Sequence, residues 1–389
     1  MVVAQFNKHT VEQLRSVAGV KWTVFPDCIG AFVAEMDFGT APVIQDALRK
    51  IVDDGIFGYC PPSQTDRMRA ACASWYRDTT GWDIPEPWIR SIPDVLTAFQ
   101  ATVEHFSPAG AKIIVPTPAY MPFLTLPRFF GRDVVEVPMR EVDGLWTYDY
   151  EAIEGAYVEH GDGSVLVVCN PCNPIGRVFH ADELTPITAI VSRHNGRVFS
   201  DEIHAPIVYT GHRHVPYAST SAEAASHTIT SVSSSKAWNL AGLKSAQMIL
   251  SNEADAAHWQ DVGYFVEHGA STLGVVGNAV AYAEGRDWLD GVLSYLDRNR
   301  HLLSELLAEH LPNARYTMPE GTYLAWIDVS AYQLPDDLAT FFREKAKVAV
   351  TDGSACGQIG RGFVRFNLAM SSELIEQAIR QMGDAVRAA

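Results

Sequence analysis

Cysteines, basic residues and long apolar runs are all scarce in this chain of 389 residues. Six cysteines are too few for a disulfide framework at this length and fit reduced thiols. Thirty basic against 46 acidic residues give a formal charge of −16, which repels nucleic-acid phosphates and anionic lipid. The N-terminus lacks a signal-peptide pattern, and no apolar run approaches the roughly 18 residues of a membrane span. We therefore expect a cytoplasmic protein that binds a small molecule, with neither nucleic acid nor membrane as a partner.

Two short stretches lack the residues that would complete a known motif. Cys169 and Cys172 form a CxxC pair, but no second ligand pair follows at comparable spacing, so we expect no metal site. The sequence DEIH at 201–204 occurs in helicase motors, which also need a phosphate loop of the form GxxxxGKS/T. The chain contains no Gly-Lys dipeptide, which argues against a nucleic-acid motor.

Between residues 91 and 252 the chain alternates short β-rich runs with helical patterns. This alternation predicts βα units on a largely parallel sheet, whose ligand sites lie where the strands end. The predicted strands are KIIVPTP, DVVEVPM, SVLVVCNP, RVFSDEIH, TITSV and QMILSN. ADELTPITAIVSRHNG has the apolar spacing and the terminal Asn-Gly of a crossover helix.

From about residue 270 the pattern changes to that of a smaller α+β domain. A long helical pattern begins near Gly277, and we expect interruptions near Gly285 and Gly291. GTYLAWIDV and GFVRFNLAM are typical of strands. The C-terminal SSELIEQAIRQMGDAVRAA predicts an amphipathic helix with a serine N-cap.

Four residues near the ends of predicted strands have side chains suited to chemistry. Lys236 follows three serines after TITSV, where it could be a surface residue, an anion ligand or an amine kept for covalent chemistry. Asp201 ends the preceding strand, and Asn173 lies in a proline-constrained turn after SVLVV. Tyr120 lies between prolines after another strand. Each residue alone has an ordinary structural explanation, and only their combination is informative.

In this order and spacing, the motifs resemble those of the fold-type-I pyridoxal-phosphate enzymes, the aminotransferase superfamily. More narrowly, they resemble the cystathionine β-lyase branch of the MalY/PatB type, over nearly the whole chain. The resemblance rests on KW at 21–22, FVAEMDFGTAPVI at 32–44, FGYCPP at 57–62, CNPCNPIG at 169–176, SDEIH at 200–204, SSSKAWNLAGLK at 233–244 and GTYLAWID at 321–328.

The resemblance implies the α/β fold of aspartate aminotransferase-like, pyridoxal-phosphate-dependent transferases. A large domain over 41–275 would bind the pyridoxal 5'-phosphate and contain a mostly parallel central sheet. A smaller α+β domain would occupy 276–389. An N-terminal segment over 1–40 would pack with this small domain.

The resemblance also implies roles at the cofactor ring. Lys236 would bind the cofactor aldehyde covalently and would later move the substrate α-proton as general base. Asp201 would pair with the ring nitrogen and favour its protonated form by ~1–3 pKa units. Asn173 would donate to the ring oxygen and contact the substrate. Tyr120 would stack on the ring, and His204 would lie near the same ring oxygen.

A second implied set of residues binds the phosphate and the substrate carboxylate. A helix N-terminus and nearby side chains would bind the phosphate, namely Val95, Leu96, Ser233, Lys244 and, from a neighbouring subunit, Tyr59. Arg365 would hold the substrate carboxylate through two parallel hydrogen bonds. The chain departs from the family pattern at Asp94, which replaces a usual glycine, and in TDGSACG at 351–357, an altered PGxxFG loop.

Three functions agree with these residues, because fold alone does not separate them. The first is a carbon–sulfur β-lyase that cleaves cystathionine or related cysteine S-conjugates to a thiol, pyruvate and ammonia. The second is a class I/II aminotransferase that transfers an amino group to a 2-oxo acid. The third is a pyridoxal-phosphate-binding regulatory protein, against which the intact set of predicted site residues argues. We expect the lyase, acting on an amino-acid substrate as a homodimer with shared active sites.

Overall fold

A central sheet of seven strands organises the larger part of the computed structural model, which describes residues 6, 7 and 9–389. The described residues form fifteen strands in all, of which seven belong to this sheet: β1 (Ile29–Gly30), β2 (Ile89–Ile92), β3 (Ile113–Thr117), β4 (Val134–Pro138), β5 (Arg140–Val142), β6 (Leu145–Thr147), β7 (Val165–Cys169), β8 (Arg197–Asp201), β9 (Thr228–Val232), β10 (Ala246–Leu250), β11 (Arg315–Tyr316), β12 (Leu324–Asp328), β13 (Val348–Ala349), β14 (Thr351–Asp352) and β15 (Phe363–Asn367).

Helices connect and cover these strands. The α-helices of the described chain are α1 (Val11–Ser16), α2 (Val20–Thr23), α3 (Pro42–Asp53), α4 (Pro62–Thr80), α5 (Val95–His105), α6 (Met121–Thr125), α7 (Tyr150–His160), α8 (Ala181–Arg193), α9 (Ala222–Ser226), α10 (Glu253–Val262), α11 (Tyr264–Glu267), α12 (Thr272–Glu284), α13 (Arg286–His310), α14 (Leu338–Phe341) and α15 (Ser372–Arg387). A π-helical turn at Phe342–Ala346 follows α14. No helix within the described residues is both long and apolar enough to cross a membrane.

The central sheet has the strand order β2-β10-β9-β8-β7-β3-β4. The five strands from β9 to β4 are parallel, whereas β10 is antiparallel to both of its neighbours. As a result β2, β3, β7, β8 and β9 all end at the same edge of the sheet. All residues of β7 and β9 are buried, as expected for parallel strands covered on both faces.

The smaller part of the chain is built on an antiparallel sheet with the order β11-β12-β15-β14. The N-terminal segment joins this part, because β1 pairs in parallel with β13. The Ser371 hydroxyl caps α15 by accepting the N–H of Leu374. The boundaries at residues 40 and 275 stay a prediction, and residues 1–5 and 8 of the predicted N-terminal segment lie outside the described residues.

Most predicted elements are confirmed. The six predicted strands of the large domain are β3, β4, β7, β8, β9 and β10, and the predicted crossover helix is α8. The break at Gly285 is also confirmed, because α12 ends at Glu284 and α13 begins at Arg286. A Cβ at Gly285 would clash with the indole of Trp238.

The predicted interruption at Gly291 is wrong, since α13 continues through it from Arg286 to His310. One glycine inside a helix costs only about 1 kcal/mol. Burial of the neighbouring Val292, Tyr295 and Leu296 offsets that cost.

Candidate active site

The parallel strands bring the predicted site residues to one edge of the central sheet. β3, β7, β8 and β9 end at or just before Tyr120, Asn173, Asp201 and Lys236 respectively. These four side chains line a single cavity of about 590 Å³, within the usual range for small-molecule sites. The cavity is also lined by Val95, Leu96, Ser233, Lys244, His204 and Arg365. Of the predicted site residues, Tyr59 does not line it.

The Lys236 side chain is partly buried and lines this cavity. Its Nζ donates to the carbonyl oxygen of Ala34 at 3.0 Å, and the Tyr323 hydroxyl donates to the same oxygen at 2.9 Å. Burial, followed by the nearby Arg365 guanidinium, lowers the pKa of Lys236 to about 8. About a tenth of the amine is therefore neutral and nucleophilic at pH 7, far more than for an ordinary lysine.

Asp201 is a buried carboxylate at the end of β8. It accepts the N–H of Ile203 at 3.2 Å, and the thiol of Cys169 lies 3.9 Å from it. No Lys, Arg or His nitrogen of the described chain lies within 4.0 Å of its oxygens. Burial raises the pKa of Asp201 to about 7. A buried carboxylate with no ion pair in the protein suits a cationic group of a ligand.

Arg365 is a buried guanidinium held by neutral oxygens. Nη1 donates to Asn173 Oδ1 at 3.1 Å, while Nη2 donates to the carbonyl of Phe32 at 2.7 Å and to Thr351 Oγ1 at 3.2 Å. Its Nε has no hydrogen-bond partner among the described residues, and burial lowers the pKa of Arg365. An uncompensated buried cation of this kind suits the carboxylate of an amino acid.

The N-terminus of α5 forms another wall of the cavity. Val95 and Leu96 are its first two residues, and N–H groups at this end of a helix have no hydrogen-bond acceptor within the helix. Asp94 caps the helix by accepting the Thr97 N–H at 2.8 Å, and Lys244 Nζ lies 2.8 Å from the Asp94 carboxylate. The backbone of Asp94 is extended, so the position does not require the glycine that is usual in the family.

Three further predicted residues complete the lining. The hydroxyl of Ser233 donates to the carbonyl of Ser245 at 2.9 Å and accepts the N–H of Ser235 at 3.0 Å. His204 Nδ1 has no partner in the described chain, and burial, with Lys236 and Arg365 nearby, lowers the pKa of His204 to about 3. The imidazole is therefore neutral. The Tyr120 ring packs edge-on against Phe123, with centroids 5.6 Å apart.

Tyr59 lies apart from the cavity, on the surface of the chain. Tyr59 is 88% exposed, and it lines a surface depression together with the exposed side chains of Phe57 and Tyr264. Phe265, which follows Tyr264 in sequence, is also exposed. The depression has a volume of about 1000 Å³. Within one chain, the structure does not bring Tyr59 to the other predicted residues.

Several contacts in the site were not predicted from the sequence. The carbonyls of Phe32 and Ala34 bind Arg365 and Lys236, and Thr351 supports Arg365 from β14. Every residue has the same backbone carbonyl, so the residue types do not reveal these contacts, and only the motif FVAEMDF indicated that this loop is part of the site. Within residues 6, 7 and 9–389, no cluster of three or more His, Cys, Asp and Glu side chains could hold a metal ion.

A partly buried amine and a buried carboxylate and guanidinium, at the end of a mostly parallel sheet, define a site for an amino-acid-sized ligand. A family model described as aminotransferase class I and II matches residues 27–382, and the chain belongs to this family. The resemblance seen in the motifs, and the predicted fold class, are thereby confirmed.

Individual relatives match over their full lengths. The chain is 37% identical to a cystathionine beta-lyase of Corynebacterium glutamicum, covering 97% of this chain and 99% of that protein. It is 31% identical to cystathionine beta-lyase PatB of Bacillus subtilis, covering 96% and 98%. The solved structure of cystalysin from Treponema denticola, which contains pyridoxal 5'-phosphate, superposes with a TM-score of 0.92 at 28% identity and covers 100% of both chains.

Proposed function

We propose that the protein is a pyridoxal-phosphate-dependent carbon–sulfur β-lyase that cleaves cystathionine or related cysteine S-conjugates to a thiol, pyruvate and ammonia. The observation that carries this proposal is the single cavity lined by the partly buried Lys236 and the buried Asp201 and Arg365, none of them ion-paired to a described residue. The full-length similarity to proteins named cystathionine beta-lyase supports this choice within the family.

The residues of the cavity fit pyridoxal phosphate. Lys236 provides an amine of lowered pKa for its aldehyde, and the uncompensated carboxylate of Asp201 suits a protonated ring nitrogen. His204 Nδ1 lacks a partner, and the Asn173 amide nitrogen has no described acceptor, so both are available to a polar ring substituent. The Tyr120 side chain would cover the ring face.

The phosphate would be held at the N-terminus of α5. Val95 and Leu96 contribute N–H groups there, and Lys244 contributes a positive charge. Lys244 already pairs with Asp94, so its charge is partly neutralised. We therefore propose that Ser233 and the backbone amides hold the phosphate alongside Lys244.

The proposed reaction starts with substrate binding at Arg365. The Asn173, Phe32 and Thr351 oxygens fix the guanidinium, which then binds the substrate carboxylate through two N–H groups. When bound, pyridoxal phosphate supplies an aldehyde for amines and a ring that stabilises negative charge at the substrate Cα. Asp201 would hold the proton on the ring nitrogen.

Lys236 carries out the proton transfer in this proposal. Its neutral Nζ accepts the proton from the substrate Cα. The bond between Cβ and sulfur then breaks, with its electron pair leaving on the sulfur, which is protonated to the thiol. One water molecule hydrolyses the remaining three-carbon fragment to pyruvate and ammonia, so no second organic substrate is needed.

The test of the proposal separates the lyase from the aminotransferase, because the two share these residues. Holoenzyme is incubated with cystathionine in the absence of any 2-oxo acid, and pyruvate and homocysteine are measured over many turnovers. The lyase releases both catalytically. Conversion of one cofactor equivalent that resumes only when a 2-oxo acid is added would establish the aminotransferase, and no conversion at all would contradict the lyase proposal for cystathionine.

We also propose that the active form is a homodimer in which Tyr59 reaches the cofactor phosphate of the neighbouring subunit. The exposed aromatic side chains of Phe57, Tyr59, Tyr264 and Phe265 support this proposal, because clustered exposed apolar side chains mark contact surfaces. A second copy of the chain is the occupant that would make Tyr59 part of the site. Size-exclusion chromatography of the holoenzyme with light scattering gives its mass in solution. A fully active monomer would contradict the proposal.

The cellular location remains our proposal as well. All six cysteines are unpaired, and five of them are buried. Unpaired cysteines are typical of a reducing compartment, so we propose the cytoplasm. Fractionation of the producing cells with an antibody to the native protein tests this location.

A further inference from the structure

Arg343 lines the same cavity as Lys236 and Arg365, on a wall that the proposed chemistry does not use. This wall is formed by the N-terminal segment and the smaller part of the chain. It consists of Phe25, Phe32, Ala339, Arg343, Val350 and Asp352. Arg343 lies in the π-helical turn Phe342–Ala346, an irregularity that is often found at functional sites.

A continuous set of contacts joins Arg343 to the carboxylate-binding Arg365. Thr351 pairs with Arg365 in neighbouring strands and accepts from its Nη2 at 3.2 Å. The next residue, Asp352, accepts the N–H of Leu338 at 2.8 Å at the start of α14, which leads directly into the turn that carries Arg343. The two guanidinium groups therefore belong to one connected wall of the cavity.

The guanidinium of Arg343 is held in place without an acidic partner. Its Nη2 donates to Thr340 Oγ1 at 2.8 Å, and its central carbon lies 5.0 Å from the centroid of the Phe25 ring. No Asp or Glu of the described residues lies within ion-pair distance. Asp337, the nearby acidic residue at the N-cap of α14, instead accepts the N–H of Thr340 at 2.9 Å. Arg343 thus has N–H groups available for a ligand.

The acidic side chain on the same wall does not neutralise Arg343. Asp352 accepts the N–H of Leu338 with one oxygen and the N–H of Ser354 with the other, both at 2.8 Å. A partly buried, anchored guanidinium in a ligand cavity selects carboxylates, because it offers parallel N–H donors in a fixed plane. Arg365 already provides such a site for one carboxylate of the substrate.

We propose that Arg343, supported by Phe25 and Thr340, is a second carboxylate subsite that binds the far end of the leaving thiol. This inference rests on the proposed lyase function. It defines the substrate class as S-conjugates whose thiol portion itself carries a carboxylate, as the homocysteine half of cystathionine does. Conjugates with a neutral S-alkyl group lack the group that this subsite binds.

The test compares cystathionine with S-ethylcysteine on wild-type holoenzyme and on the Arg343→Met and Arg343→Lys variants. The ratio of kcat/KM for cystathionine to kcat/KM for S-ethylcysteine should fall about tenfold to hundredfold in Arg343→Met, since one charge-assisted carboxylate contact is lost. Arg343→Lys retains the positive charge without the parallel N–H donors of the guanidinium and should give an intermediate ratio. Lys345→Met, which removes an exposed cation from the same turn, should leave the ratio unchanged.

A binding measurement separates failure of the subsite from failure of the proposed function. If wild-type holoenzyme releases no pyruvate from either compound, the lyase proposal is wrong, and calorimetric Kd values for the same two compounds then test Arg343 alone. A selective loss of cystathionine affinity in Arg343→Met supports the subsite. If Arg343→Met lowers kcat/KM or affinity equally for both compounds, or for neither of them, the proposed subsite is wrong.

Discussion

Lys236 and Ala34 are joined by a hydrogen bond of 3.0 Å from the amine to the carbonyl oxygen, across 202 residues of sequence. The same loop provides the Phe32 carbonyl that accepts from Arg365 at 2.7 Å. The N-terminal segment therefore positions both charged groups with backbone oxygens. A substitution that displaces this loop should alter the site without touching any residue that contacts a ligand.

A buried ion pair between Lys21 and Asp37 anchors that loop, and breaking it should destabilise the protein. Lys21 Nζ lies 2.9 Å from Asp37 Oδ2, and Trp22 Nε1 donates to the other oxygen at 2.8 Å. Asp37→Asn leaves the ammonium buried without a counterion, which we expect to lower the free energy of unfolding by about 3–5 kcal/mol. Urea denaturation of the apoprotein measures the change.

The exposed pair between Lys50 and Asp54 provides the matched control. These side chains are 2.8 Å apart on the surface of α3, where solvent screens the attraction. Lys50→Met should therefore leave the denaturation midpoint almost unchanged. A midpoint for Asp37→Asn equal to that of Lys50→Met would show that the buried pair does not anchor the loop.

The lowered pKa of Lys236 predicts how cofactor uptake depends on pH. Only the neutral amine attacks an aldehyde, so recombination of apoprotein with pyridoxal phosphate should accelerate about tenfold per pH unit below pH 8 and level off above it. Arg365 contributes to the lowered pKa, and Arg365→Met should therefore move the midpoint to higher pH. A midpoint near 10 in the wild-type protein would contradict the effect of burial on this amine.

Arg365→Lys should weaken amino-acid binding while sparing cofactor binding. Lysine retains the positive charge but cannot form the two parallel hydrogen bonds, a loss of about 1.5–3 kcal/mol, or roughly tenfold to hundredfold in affinity. Substrate titrations of the holoenzyme, with the cofactor content measured in parallel, test this expectation. An unchanged substrate affinity at full cofactor content would remove Arg365 from the carboxylate site.

Tyr59→Phe should weaken cofactor retention if the dimer shares its sites. Loss of one hydroxyl contact to a phosphate should raise the Kd for pyridoxal phosphate about tenfold. Tyr264→Phe removes a hydroxyl from the same exposed surface and is the control, with an unchanged Kd expected. Equal cofactor affinities in the two variants would place Tyr59 outside the site of the neighbouring subunit.

The sequence predicted the side chains that follow parallel strands better than the contacts that complete the site. Lys236, Asp201 and Asn173 could be found because strand ends converge at one edge of the sheet. The carbonyl of Ala34 could not, because a backbone oxygen is the same in every residue and its partner is distant in sequence. Arg343 was missed for a related reason, since its position depends on the packing of the smaller part of the chain against the N-terminal segment.

The proposed function depends first on which lysine binds the cofactor, and this can be measured directly. Holoenzyme is reduced with borohydride, digested, and its peptides are analysed by mass spectrometry for covalently attached pyridoxyl phosphate. We expect one modified residue, Lys236, whose partly buried amine shares the cavity with Asp201 and Arg365. Attachment at the exposed Lys244, or at no lysine, would contradict it.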